Sequence, residues 1–350
     1  MVKYNDLVKP FTNFNTLNQI DHQSSSKTMK KLQLPLFVAL VLTFSACKKE
    51  EQKTEKFSGP KLKENVNPNA ALASFSLNNW MGVLADQNSI ATLSIPGTHD
   101  SGATIEPVSG TAKCQNLSIA DQLNAGVRYL DIRCRHIDNA FAIHHGAIYQ
   151  NLNFNDVLNA CINFLNSHPT EAIIMSVKEE HTPSNNTRSF EQTFDSYVQQ
   201  NPGKWDLGNN IPNLGSIRGK IRLLRRFGAS SPKGIDATAW ADNTTFDINN
   251  SAASLKIQDF YNVNDVNTKW TRIETLFNEA KNDTSNKLYL NYASGYKPGI
   301  FSIPSITTVS NFINPKITIF FTNNTHGKYG IIPLDFVDSG RSQLIVNTNF

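Results

Sequence analysis

From residue 71 onward the chain alternates two apolar patterns. Short runs of aliphatic, β-branched and aromatic residues occur at Ile90–Ile95, Val127–Ile132, Ala140–Ile143, Ala172–Val177, Ile221–Leu224, Leu255–Ile257, Leu288–Tyr292, Ile317–Phe321 and Tyr329–Phe336, and each predicts a strand. Between several of them apolar residues recur at helical spacing. Asn153–Leu165 opens with an Asn–Asp capping signal and sets Val157, Leu158, Ile162 and Leu165 on one face. Ser189–Gln199, Thr271–Ala280 and Thr307–Ile313 read as helices in the same way. Repeated strand–helix alternation predicts a parallel sheet covered by helices. About eight strands in roughly 280 residues suit a (β/α) barrel. An open doubly wound sheet is less apt, because no Gly-rich dinucleotide fingerprint occurs. Several connections are too short for a full helix. The expectation is one α/β domain over residues 75–350, a distorted TIM barrel.

The first 74 residues follow different rules. Lys30-Lys31 precede the apolar stretch Leu32–Phe44, which is too short to cross a bilayer and reads as a targeting segment. It ends in Phe44-Ser-Ala-Cys47, which resembles the lipobox of bacterial lipoproteins. That resemblance implies cleavage before Cys47 and lipidation of its thiol. Residues 1–46 are thus expected to be an N-terminal extension with a signal peptide, and Met29 is an alternative start. Residues 47–74 are polar, lack apolar periodicity and predict a solvated tether. The expected location is the cell envelope, lipid-anchored to the outer membrane, or the exterior after secretion.

Charge and cysteine usage narrow the function. The net charge is +4, and the first 46 residues, with five Lys and two Asp, supply three of those charges. A near-neutral body argues against nucleic acid as a partner, because phosphate neutralisation needs a basic stripe. Beyond Cys47 the cysteines are Cys114, Cys134 and Cys161, with no CxxC pair of the kind zinc sites use. Three thiols permit at most one disulfide, and buried free thiols are the simpler expectation.

In a parallel barrel the C-terminal strand ends converge on one face, where catalytic residues gather. Here those ends present His99-Asp100, Asp131 and Arg133, His145, Lys178 and Glu180, Arg225-Arg226, Asp259 and Tyr261, and Asp335. Two histidines allow one base and one acid near neutral pH. An arginine between them supplies a fixed planar cation suited to phosphate. The combination points to phosphoryl transfer without a metal. Adjacent strand residues face opposite ways, so only one of His144 and His145 can enter such a site.

Several strings carry a family resemblance: Ser94-Ile-Pro-Gly-Thr-His-Asp-Ser-Gly102, Leu130-Asp-Ile-Arg133, Ile143-His-His-Gly146, Ile173-Ile-Met-Ser-Val-Lys178, Gly219-Lys-Ile-Arg-Leu-Leu-Arg-Arg226, Trp240-Ala-Asp-Asn243 and Ile257-Gln-Asp-Phe-Tyr261. In this order the chain resembles the bacterial phosphatidylinositol-specific phospholipase C family, from about Leu77 to Asp335. The resemblance implies a phosphatidylinositol diacylglycerol-lyase giving diacylglycerol and inositol 1,2-cyclic phosphate, with slow hydrolysis of the cyclic product. It implies His99 as base, His145 as acid and Arg133 as the phosphoryl clamp. Asp335 is then the carboxylate orienting His99, Asp100 the one orienting His145, and Asp131 the support of Arg133. Lys178, Arg226 and Asp259 match hydroxyl-binding positions, and Tyr261 matches the ring-stacking tyrosine.

Calcium-dependent relatives place acidic ligands where this chain has Asp131-Ile-Arg133, so no calcium or other cofactor is expected. The expected partners are phosphatidylinositol, glycosyl-phosphatidylinositol anchors and a membrane surface, bound by a monomer. Tyr296, Ile300 and Phe301 are candidates for insertion at that surface. Two other readings remain open: a glycerophosphodiesterase-like enzyme, and a non-catalytic lipid- or glycan-binding lipoprotein on the same scaffold.

Overall fold

Alternation along the strands sets which residues face the interior. In the computed structural model, which describes residues 75–299 and 303–350, the strands are β1 (Ser94–Thr98), β2 (Tyr129–Ile137), β3 (Ala140–His145), β4 (Ile148–Asn153), β5 (Ile173–Glu179), β6 (Trp205–Asp206), β7 (Ile221–Arg226), β8 (Ile235–Asp236), β9 (Thr245–Asn249), β10 (Ser254–Gln258), β11 (Leu288–Asn291), β12 (Lys297–Pro298), β13 (Pro304–Ser305) and β14 (Gly330–Leu334). The helices are α1 (Ile119–Asn124), α2 (Phe154–Ser167), α3 (Phe190–Gln200), α4 (Leu214–Ile217), α5 (Val266–Asn282), α6 (Ile306–Asn323) and α7 (Ser339–Asn347). The targeting segment, Cys47 and the tether lie outside the described residues, as do Ile300 and Phe301.

The main sheet runs β6-β7-β5-β2-β1-β14-β11-β10-β9, with β8 beside β7 and the β3–β4 hairpin folded off β2. Neighbours from β6 through to β10 are parallel, and β9 is antiparallel to β10. The fold is therefore the expected α/β barrel, but its ring of ladders is incomplete. Among the described residues no ladder joins β9 to β7 or β8. The Asn250 side chain spans that seam by donating to the Asp236 carbonyl at 3.2 Å. The cause is local: β9 and β10 form a hairpin with no helix between them, so the βα rhythm stops there.

Two cores follow from the pleat. Tyr129, Ile174, Leu224, Leu255, Leu290 and Ile331 pack inside the curl. Leu130, Ile132, Met175, Val177 and Leu334 face outward and pack under α2, α5 and α6. Helix α2 begins at a capping box between Asn153 and Asp156 and buries Val157, Leu158, Cys161 and Leu165. The floor is closed by a buried ion pair. Arg128 and Glu171 meet at 2.7 Å, and Glu171 also accepts from the amides of Met81 and Gly82. Breaking such a pair costs about 3–5 kcal/mol.

Two segments depart from the pattern reading. Ile317–Phe321, predicted as a strand, is the second half of α6, which runs through Pro315. Ile313, Ile317, Phe320 and Phe321 recur at i, i+4, i+7 and i+8, a helical stripe that a five-residue window hides. The first predicted strand begins instead as a 3-10 turn over Ile90–Thr92 capped by Ser89, and β1 starts at Ser94. All three cysteines among the described residues are free and buried.

Candidate active site

Counting inward positions along each strand leads to the site. On β2 the interior residues are Tyr129, then Asp131, then Arg133; on β5 the matching positions end at Lys178, and on β7 at Arg226. Register places Arg133 opposite Lys178, and Lys178 opposite Arg226. Three cations thus stand side by side at one end of the curl. They line a cleft of about 470 Å³ together with His99, His145, Asp259 and Tyr261. Asp100, Asp131 and Asp335 lie beneath and are buried.

His99 follows β1 directly. Its Nδ1 is 2.8 Å from Asp335 Oδ1, and its Nε2 is 2.8 Å from Arg133 Nη2. A guanidinium only donates, so Nε2 is the acceptor and Nδ1–H donates to the carboxylate. Burial pulls the His99 pKa down, yet the charge and hydrogen bond of Asp335, with Asp131, outweigh burial and Arg133 and leave it raised. Asp335 is itself held by the Gly295 amide at 3.2 Å. Gln115 pins both strand ends, donating to the carbonyls of His99 and Leu334 at 2.8 Å each. The residues next to the two dyad partners, Asp100 at φ 37° and Phe336 at φ 51°, sit in the left-handed region. Such conformations cost about 1–3 kcal/mol and persist only where surroundings enforce them.

Arg133 is shared among three groups. Its Nε and Nη2 donate to Asp131 Oδ2 at 3.3 and 3.2 Å, and its Nη1 stands 3.7 Å from Asp100 Oδ2. Burial opposes the Asp131 charge, but Arg133 and Arg226 hold its carboxyl well below the ordinary range. Arg226 lies 3.6 Å over the Trp240 ring, and its Nε and Nη1 have no hydrogen-bond partner. The Trp240 indole donates to Asp259 Oδ2 at 3.0 Å, and Tyr261 donates to Asp242 at 2.6 Å.

His145 differs from the arrangement expected for it. Its Nδ1 donates to the Ala112 carbonyl at 2.6 Å, while Asp100 Oδ2 is 3.9 Å from Nε2, an ion-pair separation and not a hydrogen bond. A backbone carbonyl from the 102–117 loop, not Asp100, fixes this ring. Burial pushes Asp100 up against the pull of Arg133 and His145. His144 points the other way, is buried, and packs against Tyr149 and His181.

Glu180 belongs to the cleft although only its strand-end position marked it in the sequence. It pairs with Lys178 at 3.0 Å and accepts from the Gly146 amide at 3.0 Å. Burial opposes its charge, yet Arg133 and Lys178 hold it at about 2. Trp240 and Asp242, marked in the sequence only as members of a matching string, also line the cleft, and the Ala112 carbonyl is a part that local pattern does not reveal. Cys114 lies on the floor, within metal-ligand reach of His99 and Asp335 and of Asp100 and His145. Cys47 is outside the described residues.

The family description "Phosphatidylinositol-specific phospholipase C, X domain" matches residues 93–227. A 1-phosphatidylinositol phosphodiesterase of Staphylococcus aureus (strain Newman) is 34% identical over 275 residues, covering 74% of this chain and 88% of the relative. The chain belongs to the phosphatidylinositol-specific phospholipase C family. A second relative of the same name, from Listeria monocytogenes serovar 1/2a, is 33% identical over 286 residues, covering 77% of this chain and 84% of its own. Among solved structures, a variant phosphatidylinositol-specific phospholipase C from Staphylococcus aureus superposes with a TM-score of 0.70 at 31% identity, over 79% of this chain and 98% of that one. The Listeria monocytogenes enzyme superposes with a TM-score of 0.66 at 29% identity, over 79% of this chain and 100% of that one. Family membership and the barrel agree.

Proposed function

We propose that the protein is a phosphatidylinositol-specific phospholipase C of the lyase type. The inositol 2-hydroxyl attacks phosphorus, the diacylglycerol oxygen leaves, and inositol 1,2-cyclic phosphate forms; water then opens the ring slowly. The reading rests above all on one chain of contacts: Asp335 to His99 to Arg133 to Asp100 to His145, each link between 2.8 and 3.9 Å.

Each member has a chemical part. Asp335 holds His99 with Nδ1 protonated and Nε2 as a lone pair, and stabilises the imidazolium that forms when Nε2 takes the hydroxyl proton. The substrate hydroxyl replaces the Arg133 contact at Nε2 and frees that guanidinium for the phosphoryl oxygens, where a planar fork matches developing charge. His145 delivers a proton from Nε2 to the leaving oxygen. Its Nδ1–H stays on Ala112, and Asp100 Oδ2 stands 3.9 Å from that Nε2. Arg133 is the fixed cation of this scheme, and no metal enters it.

The headgroup is taken by Lys178 with Glu180, by Arg226 and Asp259 joined through Trp240, and by the Tyr261 ring. Substrates sharing that headgroup, free phosphatidylinositol and glycosyl-phosphatidylinositol anchors, are accepted. The rim suits a lipid surface: Val108 is 60% and Ile303 53% exposed on two loops that the Ile306 amide ties together through Gly110. The lipobox at Cys47 supports attachment of the enzyme to the envelope. His99→Ala and His145→Ala test the assignment: each purified, folded variant is expected to lose at least about 10²-fold in turnover. Near-wild-type turnover in either one overturns it.

A further inference from the structure

The acid's side of the cleft brings together three metal-ligating atoms of different chemistry. We propose that Asp100, Cys114 and His145 form a binding site for a thiophilic divalent cation, Zn²⁺ being the type, and that its occupancy switches the enzyme off. A carboxylate oxygen, the Cys114 sulfur and an imidazole nitrogen lie within 4.8 Å of one another. Each is poised. The His145 Nδ1–H is committed to the Ala112 carbonyl, which leaves the Nε2 lone pair directed at Asp100. This is how metal-binding imidazoles are commonly oriented. Asp100 is wholly buried, and neither of its carboxylate oxygens has a hydrogen-bond partner. Its nearest cationic groups, Arg133 Nη1 at 3.7 Å and His145 Nε2 at 3.9 Å, lie beyond hydrogen-bond reach, and a buried carboxylate so placed gains from a cation that meets it directly. Cys114 makes only a long contact from sulfur to the Ala112 carbonyl, at 3.8 Å.

The donor set selects the metal. One N, one O and one S suit zinc, with bonds of about 2.0–2.3 Å and a fourth position open to water. Calcium and magnesium want oxygen alone. Tetrahedral bonds of that length set ligand atoms roughly 3.3–3.6 Å apart, so the 3.9 Å between His145 Nε2 and Asp100 Oδ2 must close only slightly. The overlapping group of His99, Cys114 and Asp335 is a poorer host, because both His99 nitrogens are engaged at 2.8 Å. Arg133, whose Nη1 stands 3.7 Å from Asp100 Oδ2, opposes a cation there, but Asp131 already offsets its charge through two contacts.

Binding is a balanced exchange. The Cys114 S–H proton passes to solvent, Zn–S, Zn–N and Zn–O bonds form, and the cation sheds water. Inhibition follows because the metal takes the Nε2 that carries the acid's proton; that half rests on the reading of His145 given above, whereas metal binding does not.

The test uses the full chain without a histidine tag, under reducing conditions. Co²⁺ is titrated in as a spectroscopic substitute, and phosphatidylinositol turnover is measured against free Zn²⁺. Expected are one equivalent of Co²⁺ with a thiolate-to-cobalt charge-transfer band, displaced by Zn²⁺, and inhibition by Zn²⁺ that EDTA reverses. In Cys114→Ser the band disappears although Cys134 and Cys161 remain, and the Zn²⁺ concentration for half-inhibition rises at least about tenfold. Should that variant not fold, protection of Cys114 from alkylation by Zn²⁺, read by peptide mass mapping of the unaltered chain, is the equivalent result. Absence of the band, its persistence in Cys114→Ser, or unprotected alkylation overturns the site. A band with undiminished turnover overturns the switch. A band in a protein that cleaves no phosphatidylinositol supports the site and removes the catalytic reading.

Discussion

Replacing Arg133 by lysine separates charge from shape at the centre of the site. The guanidinium contacts His99 Nε2 at 2.8 Å and Asp131 Oδ2 through two nitrogens, and its remaining terminal nitrogen faces Asp100 at 3.7 Å. A lysine ammonium keeps the positive charge but is a single point with three donors. It cannot replace the two contacts to Asp131 and still present two coplanar N–H groups to the phosphoryl oxygens. Loss of one preorganised donor to a developing oxyanion costs about 2.7–4 kcal/mol, or 10²–10³ in kcat. The expected outcome for Arg133→Lys is therefore a fall of about 10²-fold or more in kcat, with a smaller change in KM because Lys178, Arg226 and Tyr261 still hold the headgroup. Cyclic-phosphate production from phosphatidylinositol in mixed micelles measures it, with circular dichroism as a check on folding. Turnover within about fivefold of wild type would refute the bidentate argument and leave charge alone as the requirement.

Two further outcomes follow from the same geometry and from the chain's N-terminus. The base must be neutral, and Asp335 raises the His99 pKa, so the acid limb of kcat/KM lies above 6.5, the ordinary imidazole value. Asp335→Asn removes the raising charge while burial and Arg133 still pull down; the limb moves to lower pH and the rate falls about 10²–10⁴-fold. An unmoved limb in the pH profile would detach Asp335 from His99. Cys47→Ser is expected to shift the protein from the detergent phase to the aqueous phase in a phase partition, since two or more acyl chains anchor stably; identical partition of both forms would remove the lipidation reading.

Much of the site is legible because strand alternation is a rigid rule. Once Val127–Ile132 is read as a strand, Asp131 and Arg133 must share a face, and the same counting delivers Lys178 and Arg226. The helix over residues 306–323 is harder. Its apolar stripe runs through a proline, and the run after Pro315 is dense enough in Ile and Phe to pass for a strand. The Ala112 carbonyl that fixes His145 is invisible in sequence for a different reason. Any residue offers a carbonyl, and only the path of the 102–117 loop brings this one within 2.6 Å. Glu180 and Trp240 likewise acquire their places through partners distant in the chain, Gly146 in the β3–β4 turn and Arg226 at the end of β7.

In the proposed reaction two histidines around an arginine carry out an in-line transfer to the neighbouring hydroxyl. It is tested most directly by ³¹P NMR of the purified chain with phosphatidylinositol micelles in excess EDTA. The phosphodiester resonance is expected to give way to that of a five-membered cyclic phosphate, which converts slowly to the inositol monophosphate, at a rate that added calcium at matched ionic strength does not raise. A monophosphate appearing without the cyclic species, or turnover that EDTA abolishes and calcium restores, would contradict it.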